Sequence, residues 1–238
     1  IITPFEDVNF FASYTTTTSL RGAANLLEDQ ITPVGPSKEE QFEVGFKTEW
    51  FKNRLRLNAT WFNIMNNNLT YAALNDAGSN TGYYIKAGNL KRQGLELEMT
   101  GKLLKNMDVV LGYSYLDAGY HDSPYYHEGS EPMNTANNMA NGWINYTFFE
   151  GPLRNLTFGA GAYYVGERPF AEYTYKVLPG HHVQPNVKPF IADAYTTLNL
   201  KAGYRFNNII LQLFVNNILD SKGYTAYYRG GYLNPVDP

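Results

Sequence analysis

Strict alternation of apolar and polar residues is the feature that most limits what this chain can fold into. Between Arg54 and Ile64 the odd positions from Leu55 to Trp61 are apolar, while the intervening even positions, Arg56, Asn58 and Thr60, are polar. A β-strand places such residues on opposite faces, and no segment keeps a helical period, so the chain is predicted to be all-β. The pattern predicts nine strands, at residues 8–15, 40–51, 54–65, 84–101, 107–117, 138–149, 155–166, 191–206 and 208–218.

The connections between these strands alternate between tight and long. Four are tight, at residues 51–54, 104–106, 150–152 and 207–208, and five are long and rich in aromatic residues, at 16–39, 66–83, 118–137, 167–190 and from 219 onward. An antiparallel meander of this kind gathers the short turns at one end and the long loops at the other. This arrangement is typical of a transmembrane β-barrel segment with short periplasmic turns and long extracellular loops.

Composition excludes several other classes of protein. Only 17% of the residues are charged, 16% are aromatic, and the mean hydropathy is −0.38, with no apolar run of the length that a membrane helix requires. A net charge of −3 disfavours nucleic acid as a partner, and the lack of cysteine excludes disulfides and thiolate metal sites. The chain lacks an initiator methionine and a signal peptide at its start, so we expect it to be a piece of a longer polypeptide.

The two faces of the predicted strands differ in character. Aromatic residues gather at strand ends, as the interfacial girdles of a membrane barrel require: Trp50-Phe51, Trp61-Phe62, Tyr113 and Tyr115, Tyr146 with Phe148-Phe149, Tyr163-Tyr164, and Tyr204 with Phe206. The opposite face carries charged residues that suit a wet or plugged lumen: Glu43, Lys47, Arg56, Glu96, Glu98, Lys201 and Arg205. In a soluble β-sandwich the same residues could form the solvent face, so that alternative stays open.

Five short motifs resemble strands of the TonB-dependent outer-membrane receptors, and one of them resembles a step seen in the ferric-siderophore branch of that family. They appear in the family's order: residues 36–47 (PSKEEQFEVGFK), 91–98 (KRQGLELE), 111–118 (LGYSYLDA), 164–169 (YVGERP), and 214–220 (FVNNILD) followed by Tyr224. Each motif is weak alone, but together they span most of the chain.

The resemblance implies a barrel of about 22 strands that encloses a plug domain. Residues 1–238 would be the C-terminal portion of that barrel, without the plug and the last strand, in a multi-pass protein of the bacterial outer membrane. Such a receptor imports a ferric siderophore, energised through the TonB complex. We expect no enzymatic activity, no catalytic residue and no resident cofactor, because iron travels as the ferric-siderophore substrate. The charged lumen residues would then contact the plug.

The resemblance also places substrate binding in the extracellular loops. Three loops carry rings and polar groups: Tyr120, His121, Tyr125, Tyr126 and His127; Phe170, Tyr173, Tyr175, His181 and His182; and Tyr224, Tyr227, Tyr228 and Arg229. Ring faces and an arginine suit a flat, anionic, catecholate or hydroxamate chelate. The predicted ligand contacts are Tyr125, Tyr126, His127, Tyr173, Tyr175, Tyr227, Tyr228 and Arg229.

Several alternatives remain at this stage. The histidines could bind a metal directly, but adjacent histidines such as His181 and His182 rarely chelate one ion. Glu96 and Glu98 could serve as a glycosidase pair, but no second cleft feature accompanies them. A receptor for another cargo, such as a glycan, cobalamin or haem, and a passive porin share the same architecture.

Overall fold

The computed structural model describes residues 1–5, 7–20, 25–75, 79–176, 184–227 and 232–236. All of its regular structure is β, and no helix in these ranges is long and apolar enough to cross a membrane. The strands are β1 (Ile2–Phe5), β2 (Val8–Ser19), β3 (Ser37–Trp50), β4 (Leu55–Leu74), β5 (Asn80–Leu104), β6 (Met107–His121), β7 (Asn138–Thr147), β8 (Leu156–Val165), β9 (Arg168–Pro169), β10 (Ile191–Ala192), β11 (Tyr195–Phe206), β12 (Ile209–Val215), β13 (Gly223–Tyr227) and β14 (Tyr232–Val236).

Ten of these strands form one antiparallel sheet. Its order follows the chain from β1 to β8 and continues with β11 and β12, while β9 pairs with β10 and β13 pairs with β14 in two small separate sheets. The predicted all-β antiparallel meander is therefore confirmed. The short strands β1, β9, β13 and β14 were not predicted, because each is too short to show alternation.

The short and the long connections lie at opposite ends of the sheet, as predicted. The turn end holds the short connections at 51–54, 105–106, 148–155 and 207–208, and the loop end holds the connections at 20–36, 122–137 and 166–194. In the first of these turns Phe51, Lys52 and Asn53 all have φ near +60° (57°, 61° and 63°). Three successive left-handed residues reverse the chain within a very small space.

The prediction of a loop at 66–83 is wrong, because most of this segment is a long extension of the β4–β5 hairpin. β4 continues to Leu74 and β5 begins at Asn80. The register shifts between Asn66 and Leu69, where Asn68 has φ +56° and Gly88 on the partner strand has φ +90°. This β-bulge interrupts the period-two pattern, so sequence alternation could not reveal the strands beyond it.

One face of the sheet, the apolar face, is formed by the alternating hydrophobic residues. A single cross-strand row runs from Val44 through Trp61 and Leu95 to Tyr115. Leu97 is 40% exposed and Leu211 is 65% exposed, and no second sheet covers this face in the described part of the chain. A β-sandwich buries such a face between two sheets, so the sandwich alternative is excluded.

The aromatic residues divide between the two faces. The apolar face, which carries the row that begins at Val44, also carries the rings of Trp50, Trp61, Tyr115 and Tyr204. Phe62 and Tyr163 lie on the opposite face, since neighbouring residues of a strand alternate. The predicted girdle pairs Trp61-Phe62 and Tyr163-Tyr164 therefore contribute one ring each to the apolar face.

A small core lies at the loop end, where the extended β4–β5 hairpin packs against the connection that follows β6. It consists of the buried residues Ala73, Ile85, Ala87, Leu90, Tyr120 and Tyr126. This core fixes the connection between β6 and β7 over the end of the sheet, and so it positions the candidate site.

Candidate functional site at the loop end

A stack of three rings joins two of the long connections. The imidazole of His127 lies between Tyr173 and Tyr175, with both centroid distances 3.7 Å and interplanar angles of 9° and 37°. The outer ring, Tyr175, is 47% exposed. The structure therefore brings together three of the predicted ligand residues from loops that are far apart in sequence, and it leaves the outermost ring open to solvent.

Main-chain hydrogen bonds hold the two connections in this arrangement. The His127 amide donates to the Tyr173 carbonyl at 2.9 Å, and the Tyr175 amide donates to the Tyr125 carbonyl at 2.7 Å. The Nε2 atom of His127 lies 3.0 Å from Oδ1 of Asn186. Because the backbone fixes the register between the loops, the stacking of the rings does not depend on the side chains alone.

Tyr125 ties a third connection to the cluster. Its hydroxyl donates to Oε2 of Glu28 at 3.2 Å, and Glu28 belongs to the connection between β2 and β3. Burial, reinforced by the Glu28 carboxylate, raises the pKa of Tyr125 to about 12. Tyr125 is therefore a neutral hydrogen-bond donor at any physiological pH.

The placement of Tyr126 argues against the prediction that it contacts a ligand. Its ring is only 2% exposed and stacks on Tyr120 at 4.0 Å, inside the core at the loop end. Tyr125 packs against the same core but is only partly buried. Tyr126 anchors the loop that presents His127.

Two polar residues that sequence reasoning did not select lie beside the cluster, the buried Arg168 and the half-buried Glu172. Arg168 is 5% exposed, donates through one terminal nitrogen to the Tyr224 carbonyl at 2.9 Å, and lies 5.2 Å from the centre of the Tyr195 ring. Glu172 accepts from the Met133 amide at 3.3 Å. Burial raises the pKa of the Glu172 carboxyl. The arginine within the 164–169 motif is the one sequence signal that pointed to this region.

The β13–β14 hairpin rests on the same region. The Asn134 side chain donates to the Ala226 carbonyl at 3.0 Å and accepts from the Ala226 amide at 2.8 Å. Tyr224 is 46% exposed, while Phe170 packs against Phe190 at 6.4 Å. The side chain of Tyr227, together with Tyr228, Arg229, His181 and His182, lies outside the described residues, so their predicted roles stay predictions.

The remaining histidine, His121, makes a contact with a carboxylate. Its Nδ1 lies 2.5 Å from Oε1 of Glu128, and the Asp122 amide donates to the other oxygen of Glu128 at 3.3 Å. Within the described ranges no group of three or more histidine or acidic side chains is arranged to hold a metal ion.

The opposite, charged face of the sheet carries all seven residues predicted to line a lumen: Glu43, Lys47, Arg56, Glu96, Glu98, Lys201 and Arg205. Some have partners on the same face. Nε of Arg56 lies 3.0 Å from Oε1 of Glu49, and Nδ2 of Asn58 donates to Glu98 at 3.2 Å.

Glu96 lines an open cavity on the charged face. Among the described residues it has no hydrogen-bond or ion-pair partner, and Glu98, Ser114 and Asn141 line the same cavity of about 230 Å³. A carboxylate in such an open cavity is accessible to a cationic or hydrogen-bonding partner.

The chain matches the family described as "TonB dependent receptor-like, beta-barrel" over residues 2–218. It is 28% identical over 204 residues to the metal-pseudopaline receptor CntO of Pseudomonas aeruginosa (strain UCBPP-PA14), covering 85% of this chain and 26% of that protein. It is 30% identical over 188 residues to the ferrichrome outer membrane transporter/phage receptor of Escherichia coli (strain K12), covering 79% of this chain and 23% of that protein. The chain thus spans about a quarter of the length of these relatives.

Solved structures show the same fold. FpvA of P. aeruginosa in complex with an iron-loaded pyoverdine superposes with a TM-score of 0.76 at 21% identity, over 99% of this chain and 30% of that one. The ferric-catecholate import receptor Fiu of E. coli K12 gives 0.73 at 22% identity, over 99% of this chain and 32% of that one. Because the family match covers nearly the whole sequence, the chain belongs to the TonB-dependent receptor family, as a segment of its outer-membrane β-barrel.

Proposed function

We propose that this chain is the C-terminal portion of the barrel of an outer-membrane receptor that imports a ferric siderophore, energised through the TonB complex. Its relatives include proteins named for ferrichrome, ferrioxamine and ferric pyoverdine. The plug, the remaining strands and the contact with TonB belong to parts of the receptor outside this chain.

The observation that carries this proposal is the ring stack at the loop end. The stack of Tyr173, His127 and Tyr175 lies at the loop end, with Tyr175 47% exposed to solvent. An iron chelate offers flat conjugated groups and oxygen acceptors, which ring faces and tyrosine hydroxyls bind. Iron stays inside its organic chelator and enters as substrate, so no protein side chain has to ligate it.

The charged face has a separate role in this proposal. Glu96 and Glu98, on the wall of the lumen, accept hydrogen bonds and ion pairs from the plug that fills the barrel. The open cavity beside Glu96 gives a plug side chain access to both carboxylates. These contacts hold the plug until the TonB complex rearranges it.

The test uses the complete receptor gene in cells that lack other routes for ferric-siderophore uptake. Tyr175→Ala is expected to weaken binding of the recognised chelate about tenfold, because one stacked ring face is lost. The matched control is Tyr204→Ala, since Tyr204 is 42% exposed but lies on the apolar face near the turn end. Binding is measured with chelates loaded with radioactive iron, across a panel of hydroxamate, catecholate and pyoverdine types.

If the Tyr175 and Tyr204 variants bind the chelate with equal affinity, the ring stack is not part of the binding site. If the wild-type receptor takes up no ferric siderophore but binds a glycan, cobalamin or haem, the cargo is different. Uptake that continues without TonB identifies a passive porin.

A further inference from the structure

Three aromatic residues on the charged face lie opposite a glycine of the neighbouring strand. The register pairs each ring directly with its glycine, and a Cβ on that glycine would meet the ring at 2.8, 2.7 and 1.9 Å in the pairs Phe11–Gly45, Phe62–Gly94 and Trp143–Gly161. Side chains on a strand normally stand roughly perpendicular to the sheet. These rings instead lie across the neighbouring strand, in the space that a Cβ would fill.

The Trp143–Gly161 pair shows the arrangement most clearly. The indole covers two glycines of β8, because a Cβ on Gly161 would lie 1.9 Å from Cε3 and a Cβ on Gly159 would lie 3.1 Å from Cζ2. The indole Nε1 donates to Oδ1 of Asn145 at 2.9 Å, which fixes its direction along the wall. A Cβ at Gly161 would collide mainly with the indole, because the nearest backbone atom, the Gly142 carbonyl oxygen, would lie 3.0 Å from that Cβ.

We propose that Gly161 is a positioning residue that holds the Trp143 indole flat, so that the plug can pack against this part of the lumen wall. The inference rests on the proposed function only in assuming that a plug occupies the lumen. Any side chain on Gly161 forces the indole to leave the wall. In the described part of the chain no other strand covers the charged face, so the displaced ring projects into the space of the plug.

The experiment compares two glycine-to-alanine changes on adjacent strands of the complete receptor. Gly161→Ala displaces the indole, whereas Gly203→Ala adds the same methyl group to the charged face where its nearest contact is 3.7 Å. Purified receptors are placed in planar lipid bilayers, and opening of the lumen is measured as ionic conductance. We expect Gly161→Ala to raise the open fraction about tenfold, the effect of overpacking a closely fitted contact, and Gly203→Ala to leave it unchanged.

Removal of the Trp143 indole is expected to reverse the effect of Gly161→Ala on conductance. In the double variant Gly161→Ala/Trp143→Ala the displaced group is gone, so conductance is expected to return to the wild-type level. If Gly161→Ala does not reach the membrane, Gly159→Ala displaces the indole less, because its Cβ would lie 2.6 Å from Oδ1 of Asn145, which accepts the indole hydrogen bond, and 3.1 Å from Cζ2 of Trp143. It is expected to raise conductance less, and again only while Trp143 is present.

The inference is overturned if Gly161→Ala conducts no more than Gly203→Ala, or if the double variant stays open. It is also overturned if Gly161→Ala lowers only the amount of folded barrel while each folded receptor stays closed. Conductance needs no substrate, so failure to transport any ferric siderophore would contradict the proposed function without affecting this result.

Discussion

Glu172 is the residue through which we expect pH to act on the loop cluster. Burial raises the pKa of its carboxyl above the ordinary value of 4.5, although the Met133 amide that donates to it opposes the shift. The folded loops therefore favour protonated Glu172. The stability that this group contributes is fully present below the ordinary pKa and is lost as the pH rises through the raised one.

The predicted consequence is a loop end that loosens as the pH rises. Hydrogen exchange of residues 130–134 and 170–176, corrected for intrinsic rates, is expected to become faster in the wild type as the pH rises from the ordinary carboxyl pKa of 4.5 through the raised pKa of Glu172. Glu172→Gln keeps the acceptor but cannot ionise, so its protection is expected to stay constant. Glu167→Gln removes an exposed carboxyl from the same loop as the control. A slope in the Glu172→Gln variant equal to that of the wild type would contradict the assignment.

The turn at 51–54 gives a second prediction at the residue scale. Lys52 has φ +61°, a left-handed conformation that costs a residue with a side chain about 1 kcal/mol. Lys52→Gly is expected to raise the free energy of unfolding by up to about 1 kcal/mol, measured by urea titration of the complete receptor in liposomes. Lys105→Gly, in a turn without this conformation, is expected to lower it by roughly 0.5 kcal/mol. Destabilisation by both changes would show that the turn is not strained.

At the scale of elements, the bulged β4–β5 hairpin carries the loop cluster. Gly88 combines φ +90° with a close approach of the next connection, because an added Cβ would lie 2.7 Å from the His121 carbonyl oxygen and from Cα of Ser123. Gly82 on the same strand has φ +83° but no atom within 4 Å of such a Cβ. The two glycines therefore share the backbone cost of substitution and differ in crowding.

The comparison of Gly88→Ala with Gly82→Ala isolates that crowding. Gly82→Ala is expected to destabilise the receptor by about 1 kcal/mol, and Gly88→Ala by about 2–4 kcal/mol, since overpacking adds to the backbone cost. Gly88→Ala is also expected to expose Tyr125 and Tyr126 to limited proteolysis. If both variants unfold at the same urea concentration and are cut equally, the hairpin does not hold the connection after β6.

The same hairpin shows how far the sequence could predict this structure. Alternation of apolar and polar residues identified the long strands and the two faces of the sheet, because each face of a barrel wall meets a single kind of environment. The alternation of short and long connections identified the turn end and the loop end. The apolar and polar alternation stopped before Asn68, where an irregularity interrupts the pairing of β4 with β5. Nor could it distinguish Tyr125 from the buried Tyr126, or anticipate that Trp143 lies over Gly161, because such contacts depend on the backbone path and on cross-strand register.

At the scale of the whole molecule, the segment is a wall with an apolar side and a charged side. Residues of opposite sides are adjacent in sequence: Ala59 lies opposite Phe46 and Leu97 on the apolar face, and Thr60 lies opposite Gly45 and Glu96 on the charged face. In the outer membrane we expect the apolar face to meet lipid and the charged face to meet the lumen.

Arginine scanning of these two neighbours tests that orientation directly. Ala59→Arg places a cation among lipid chains and is expected to lower the free energy of unfolding in liposomes by about 2–4 kcal/mol. Thr60→Arg places the same side chain beside Glu96, with which it can pair, so its effect is expected to stay within about 1 kcal/mol. The two variants introduce the same side chain at neighbouring strand positions, and differ mainly in the face that they occupy. A larger loss for Thr60→Arg than for Ala59→Arg would mean that the charged face, rather than the apolar one, lies against the membrane.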